Sequence, residues 1–482
     1  MAELSWPEIA SAISGLDVSR VAQARWFGGK GHEIERIEPL EGFDLGAGAG
    51  LVIVEITAGG SVGRYLVPVV RAEDRLRPAE PGDGAYRALA VSIAEGRTVP
   101  AVQHAAPAPV SAPARVSAAL VCRPASALPG LAGGPRDVSA LEERPLGADQ
   151  SNTSVVLGER LLLKAYRRLE NGLNPDLEMN AVLAEEIGFA AVPALAGYAE
   201  VVTSEGAATV ALLQEYVADG VDAYEATAEQ LTDWILAPGE VTLEFATEIA
   251  AGMGALTAEL HGALAAASGI PGFGTREAAR EELRAWRRDA DRQLQRALDA
   301  VDGPAGAELR VMAPSIAEQL TVLEAIATVP TVMRVHADLH LGQVLLAPAG
   351  PRVVDFEGEP TRPIEERRRL ASPLRDAASM LRSLDHVGRS ARRRAERRHG
   401  GPPSRVGLDI DAWLVRARER FLDSYRQKLR QVAAPIVVDE DLLRAFEFEK
   451  ECYEFVYAAT WLPDWMWAPL EGMRGLVEDR AS

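Results

Sequence analysis

HADLHLGQVL at residues 336–345, followed by VVDFEGEP at 353–360, decides how the rest of this sequence is read. These 25 residues hold two histidines, one glutamine and four carboxylates: Asp338, Asp355, Glu357 and Glu359. QVLLA, PAGP and RVVDF predict strand, turn and strand, a short hairpin that brings positions 343 and 355 together. His336 and His340 stand four apart, as two helical zinc ligands would. The metalloprotease pattern, however, needs Glu directly after the first His, and that position is Ala337. Leu339, Leu341 and Val344 point toward a core instead. Phosphoryl transfer uses the whole set. It needs a carboxylate to take the proton of an attacking hydroxyl, and oxygen ligands to hold magnesium against phosphates. Asp338 fits the first role. Gln343 offers an amide oxygen to the metal, Asp355 a carboxylate from the second strand, and Glu357 a further ligand.

The bulk numbers agree with a globular enzyme. At 482 residues the chain is too long for one compact core, so two or three domains are expected. Apolar residues at 48% and charged residues at 25% are ordinary globular values, enough for a sizeable core. A net charge of −19 repels nucleic acid and anionic membrane, so neither is an expected partner. Cys122 and Cys452 lie far apart, match no metal spacing, and read as buried thiols in a reducing compartment. The first 25 residues contain no uninterrupted apolar region of a secretory signal. No apolar run reaches the roughly 18 residues of a membrane span. The expectation is a cytoplasmic protein, and nothing in the sequence demands more than a monomer.

Along the chain, a short amphipathic helix (7–23) precedes strand-like IERIEPL (34–40), LVIVEIT (51–57) and RYLVPVV (64–70). Residues 100–135, rich in Ala, Pro and Ser, read as loops and edge strands. Residues 139–217 read as strands, a small-residue turn, a helix and a final strand. Beyond 220 helices dominate, at 242–268, 275–300, 306–327, 373–386, 410–433 and 440–461. The basic run GRSARRRAERRHGGPPSR (388–405) lacks interleaved aromatics and reads as a solvated loop between helices.

H-x-D-x-x-x-x-Q followed by D-F-E resembles the catalytic and metal loops of protein-kinase-like folds. With HLGQ and DFEGEP, the sequence closely resembles the bacterial maltokinases and their sister family, the glucosamine kinases. The wider aminoglycoside-phosphotransferase-like superfamily is a looser match. The likeness covers most of the chain, including RWFGGK (25–30), which is similar to part of the cap subdomain of those sugar kinases. It implies an α+β, bilobal kinase-like fold: a cap at 1–95, a β-rich nucleotide-binding lobe at 96–217 ending in a hinge, and a helical lobe at 218–482. It also implies ATP and Mg2+ as cofactors. ADQSNTSVV (148–156) resembles the family's phosphate-covering loop, with Ser151, Asn152 and Thr153 facing phosphate oxygens. Lys164 falls on the strand whose lysine holds the α/β-phosphates, with Glu178 as its ion-pair partner. QEYV (214–217) matches the hinge, whose backbone at Glu215 and Val217 bonds adenine. His336 takes an architectural role near the metal loop. Asp376 braces the catalytic loop, and Arg375 lies near the substrate.

The acceptor is read from FEFEKECYEFVYAATWLPDWMWAPLEGM (446–473). On a helix Glu447, Glu451, Glu454, Ala458 and Trp461 share one face, Tyr453 and Tyr457 flank it, and Pro463 ends the helix near Trp461. Carboxylates bond hydroxyls or an ammonium, while Trp461 and Trp465 stack on apolar sugar faces. Maltokinases carry a related segment, YE-x-x-Y-E-x-x-x-R-P-D-W. Here the Glu after the second Tyr is Ala458, and Thr460-Trp461-Leu462 replaces a charged step. That departure resembles the glucosamine kinases, whose protonated amino sugar suits Glu451 or Glu454. An indole near that cation adds about 0.5–2 kcal/mol. His340 either approaches the acceptor or fills space. The expectation is transfer to the 6-hydroxyl of glucosamine. The alternatives are maltose phosphorylation at its anomeric oxygen and, more remotely, a catalytically dead nucleotide-binding scaffold.

Overall fold

A computed structural model describes residues 3–103, 118–147, 152–237, 239, 241–324, 326, 329–359, 362–401 and 407–478. The chain divides into two compact units, Met1–Ala218 and Asp219–Ser482.

In the first unit, Ser5 donates its N–H and hydroxyl to Glu8 and so opens helix α1 (Trp6–Ser14). Strands β1 (Ile34–Gly46), β2 (Ala49–Ala58) and β3 (Ser61–Ala72) follow as an antiparallel meander. Their alternation sends Val52, Val54 and Ile56 under α1, against Ile9 and Ile13. Leu51, Ile53 and Leu66 face the other way, into the core of a second sheet. That sheet comprises β4 (Thr98–Pro100), β5 (Ala119–Pro124), β6 (Glu143–Pro145), β7 (Thr153–Leu157), β8 (Leu161–Ala165), β9 (Leu195–Thr203) and β10 (Gly206–Glu215). Their spatial order is β4-β5-β9-β10-β8-β7-β6. The Ala/Pro-rich stretch therefore supplies more than edges, because β5 is paired on both sides, by β4 and β9. Leu120 and Cys122 alternate inward there, a period hidden by the small residues around them. Helix α2 (Pro175–Asn180) follows, capped by the Asn174 side chain on the Asp176 N–H.

The second unit is helical around one hairpin. Its long helices include α3 (Glu248–Ala266), α4 (Arg280–Ala300), α5 (Leu374–His399), α6 (Ile410–Gln431), α7 (Glu440–Trp461) and α8 (Trp467–Glu478). The hairpin strands are β11 (Val344–Leu346) and β12 (Arg352–Val353), with Val221–Asp222 added along the β11 edge. At Gly254 the α3 backbone meets α6 closely, since a Cβ there would lie 2.2 Å from the Phe421 carbonyl oxygen. The segment Leu243–Ala266 corrects one expectation, for it is long and apolar enough to cross a membrane by length and composition. In the fold 56% of its apolar window is buried.

The basic run 388–405 is a second correction. Residues 388–399 are the last three turns of α5, which ends at Gly400 in the left-handed region; 402–406 lie outside the described residues. Five arginines of the helical part, Arg389, Arg392, Arg393, Arg394 and Arg398, have carboxylate partners. Arg394 pairs with Glu225 at 2.9 Å, Arg398 with Glu229 at 2.6 Å and Arg393 with Glu471 at 2.8 Å. Sequence composition reports the cations but not these distant acids, so the run reads as a loop when taken alone, although residues 397–400 are solvent-exposed as expected.

Candidate active site

The loop carrying Asp338 is held from beneath by one buried carboxylate. Asp376, at the start of α5 and 1% exposed, accepts from the N–H groups of His336 (2.8 Å) and Ala337 (2.9 Å). His261 of α3 lies 3.2 Å from the same carboxylate and 2.8 Å from the Tyr425 hydroxyl. Burial alone would raise the affinity of Asp376 for a proton. The His261 hydrogen bond and neighbouring charge outweigh it and hold the group below the usual carboxylate range. His336 then spans the loop. Its Nδ1 accepts from the Asp338 N–H (3.3 Å), and its Nε2 donates to the Val354 carbonyl (3.1 Å). Both ring nitrogens are thereby occupied, which removes the zinc reading at this residue. Ala337 has φ 70°, a left-handed conformation that costs about 1–3 kcal/mol in a non-glycine residue.

The hairpin joins two of the three predicted metal ligands. Gln343 Nε2 donates to Asp355 Oδ2 at 3.3 Å, and the Val354 N–H donates to the Gln343 carbonyl at 3.0 Å. Asp355 also sits at φ 68°. Its strained backbone turns the chain out of β12 before Glu357, whose carbonyl accepts from Arg367 at 3.2 Å. An amide oxygen beside a carboxylate is a hard-donor set, suited to Mg2+ rather than to soft metals.

In the first unit Lys164 lies on β8, opposite Ser154 of β7 and Leu212 of β10. Its ammonium bonds Asp176 at 2.9 Å, in a setting where lysine and aspartate are 9% and 1% exposed. Tyr166 and Asn180 also donate to that carboxylate. Asp176 is thus a partner that sequence reasoning missed; Glu178, the partner it named, lies two residues on and is also buried in α2. The Thr153 hydroxyl accepts from Arg167 at 3.3 Å. Ser151 lies outside the described residues, and Asn152 immediately precedes β7. At the end of β10 the Glu215 N–H donates to the Ala194 carbonyl, and its carboxylate accepts from the Ala194 N–H. The Val217 N–H has no hydrogen-bond partner among the described residues.

Helix α7 begins and ends as the sequence predicts, capped by Asp439 at Leu442 and stopped before Pro463. Its acidic stripe does not serve one purpose. Glu447 is fully buried and accepts from Arg418 at 2.7 Å and Arg382 at 3.2 Å. Glu451 is also fully buried and bonded by His386 Nε2 at 2.8 Å. That sets Glu451 apart from the expected substrate ligand, because it is fully buried and one of its oxygens is held by α5. Trp465 packs edge-on against His386 at 5.0 Å, so this indole is part of the same seam. Arg375, expected near the substrate, pairs with Glu449 at 2.9 Å and lies over the Phe446 ring at 4.3 Å.

The seam titrates. Burial pulls the His386 proton affinity down, but attraction to Glu451 and their hydrogen bond raise it above the ordinary 6.5. Burial likewise raises Glu451, against the opposing effect of His386. Both groups hold protons more tightly folded than unfolded. Their contribution from His386 is therefore complete below pH 6.5 and is lost as pH rises through its raised folded value. Thermal unfolding in a pH series should show the melting temperature falling above that point. His386→Gln should flatten the slope, and an equally steep slope in the variant would remove His386 as its source.

One α7 face does reach Asp338. Lys450 bonds Asp338 Oδ1 at 3.1 Å and Glu454 at 3.0 Å, with its ammonium 4.5 Å from the Tyr453 ring centroid. Burial works against its charge, yet Glu454 and Asp338 hold it well above the ordinary lysine value. Tyr457 stacks on Tyr453 at 6.3 Å, and Trp461 is 44% exposed one turn further along. His340 Nε2 stands 4.0 Å from Asp338 Oδ2, while its Nδ1 accepts from the Gly342 N–H. Burial lowers the His340 proton affinity, against the opposing attraction of Asp338. Lys450 was missed in the sequence because a lysine between glutamates reads as a helix-surface pair. Only the fold places Asp338 beside it. Lys450→Met should lower kcat about tenfold, the worth of one charge-assisted hydrogen bond, with Lys450→Arg recovering part of it. Unchanged steady-state kinetics in Lys450→Met would deny Lys450 any part in placing Asp338.

Residues 142–409 match the family described as phosphotransferase enzyme family, and residues 21–101 match the maltokinase N-terminal cap domain. A glucosamine kinase of Streptacidiphilus jiangxiensis is 31% identical over 444 residues, covering 91% of this chain and 90% of that protein. A glucosamine kinase of Mycolicibacterium smegmatis is 29% identical over 345 residues, 71% of this chain and 82% of that one. A solved structure of a glucosamine kinase in complex with glucosamine, ADP and inorganic phosphate is similar with a TM-score of 0.70. The sequences there are 26% identical, and the match covers 98% of this chain and 99% of the other.

Proposed function

The chain belongs to the phosphotransferase enzyme family and is a sugar kinase, and from that premise we propose that it phosphorylates D-glucosamine at O6 with ATP. The observation that carries the reading is the half-buried Asp338 carboxylate. It is fixed through the backbone by Asp376 and His336, and clamped on one oxygen by Lys450, which leaves Oδ2 for a hydroxyl proton. Asp338 takes the proton of the attacking hydroxyl. Lys164, steadied by Asp176, neutralises nucleotide phosphates, with Asn152, Thr153 and Ser151 as the covering loop and Glu178 beside the lysine. The backbone at Glu215 and Val217 receives adenine. Gln343 and Asp355 would hold Mg2+, with Glu357 as a further ligand, and an ion held there would supply charge neutralisation for the phosphoryl group.

For the acceptor, Glu454 and His340 flank Asp338, and Tyr457 with Trp461 supply the aromatic wall. Glu454 takes the place beside the amine that Glu451 has lost to His386. The reading places the enzyme in the cytoplasm, where ATP is made, and its two cysteines are free and buried. It acts as a monomer. Maltose phosphorylation at the anomeric oxygen is the second reading, favoured by the maltokinase-type cap at 21–101. ADP release measured with glucosamine, glucose, N-acetylglucosamine and maltose should be fastest with glucosamine. Faster turnover of maltose would refute the substrate choice.

A further inference from the structure

The helical unit holds a cavity of about 220 Å³ that the roles above leave unused. Its walls come from α4, from Glu359 and residues 362–371, from the first turns of α5, and from the α7 face carrying Phe446, Glu449 and Tyr453. It begins at Ala337, one residue from Asp338, and shares Lys450 and Tyr453 with the acceptor cluster.

Three features describe what would fit. Trp286 and Phe446, in edge-on contact at 5.6 Å, make an aromatic wall. Next to it, two polar atoms lack partners: Glu449 Oε2 and Ser379 Oγ have no hydrogen bond among the described residues. Both residues are more than nine-tenths buried, at 6% and 5% exposed, and both line the cavity. Arg375 holds Glu449 by its other oxygen, so Oε2 is the one left over. A buried carboxylate oxygen without a donor is costly, and a ligand hydroxyl would answer it. Finally, the lining carries five carboxylates against four guanidinium groups and Lys450, a formally balanced set. Balanced charge disfavours a phosphate or a polyamine and suits a neutral ligand with many hydroxyls. Aromatic faces next to buried hydroxyl-bonding groups are the chemistry of a pyranose site.

We propose that this cavity is a second pyranose subsite, taking an uncharged hexose ring joined to the amino sugar that is phosphorylated. The inference rests on the kinase reading above and narrows its substrate class to glycosides of glucosamine. The test compares glucosamine with galactosyl-β-1,4-glucosamine bearing a free amine. In the wild type the disaccharide should show a KM about tenfold lower, the equivalent of one or two buried hydrogen bonds. Glu449→Gln keeps an oxygen for Arg375 and turns the free acceptor into a donor. It should raise the disaccharide KM about tenfold and leave that of glucosamine unchanged. Ser379→Ala, which disturbs no ion pair, should act in the same sense by about threefold. Equal KM values for the two sugars, or an equal response of both to the variants, would overturn the subsite. If neither sugar is phosphorylated, the kinase reading itself has failed, and calorimetric titration of the disaccharide then decides. Binding that weakens in Glu449→Gln keeps the subsite, and no binding or unaltered binding ends it.

Discussion

Asp338→Asn should bind Mg-ATP as tightly as the wild type while its rate of phosphoryl transfer falls at least about 10²-fold, the usual worth of a positioned general base. The substitution is nearly isosteric. The amide oxygen can still accept from Lys450, which lies 3.1 Å from Oδ1, and the Asp338 N–H still donates to His336. What is lost is the capacity of Oδ2 to take a proton, because an amide NH2 donates there instead. His340, 4.0 Å away, is too far to substitute at hydrogen-bond range. Nucleotide titration and ADP release separate the two effects. Near-normal turnover would take the general-base role away from Asp338, and weakened nucleotide binding would show that the variant had disturbed more than the proton acceptor.

Asp376→Ala should cost about 3–5 kcal/mol of stability, as for a buried charge partner removed from its network. The carboxylate receives the N–H groups of His336 and Ala337 and faces His261, all within 3.2 Å. Truncation leaves two backbone donors unpaired, the buried one at His336 costing about 1–3 kcal/mol, and releases the left-handed turn at Ala337. Transfer rate should fall with stability, since the same bonds set the height of Asp338 in its loop. Asp376→Asn retains one acceptor and should fall between the two. Urea unfolding of the three proteins gives the measurement. A loss below about 1 kcal/mol in Asp376→Ala would mean that the loop is held by other contacts.

Much of the site was legible because its parts are local. The five-residue step from Asp338 to Gln343 and the turn PAGP bring Gln343 and Asp355 together without help from elsewhere. Helix α7 announces both ends, by Asp439 before its first turn and Pro463 after its last. Alternating β-branched residues likewise mark β1, β2 and β3, because a two-residue period follows from the pleat alone.

What the tertiary structure decided concerns pairs far apart in the chain. A helical stripe identifies neighbours on one element but not the element packed against it. Glu451 and Glu454 are therefore equivalent in sequence, yet one is bonded by His386, 65 residues away, and the other holds Lys450. The same blindness made 388–399 look like a loop, since the acids that meet Arg394, Arg398 and Arg393 (Glu225, Glu229 and Glu471) lie far away in the chain. Lys450 reaches Asp338 across 112 residues. Spacing rules follow from the geometry of one backbone element, whereas the fate of a charge depends on which opposite charge folding brings to it. Local chemistry could be read from the order of residues, and its partners only from the packed chain.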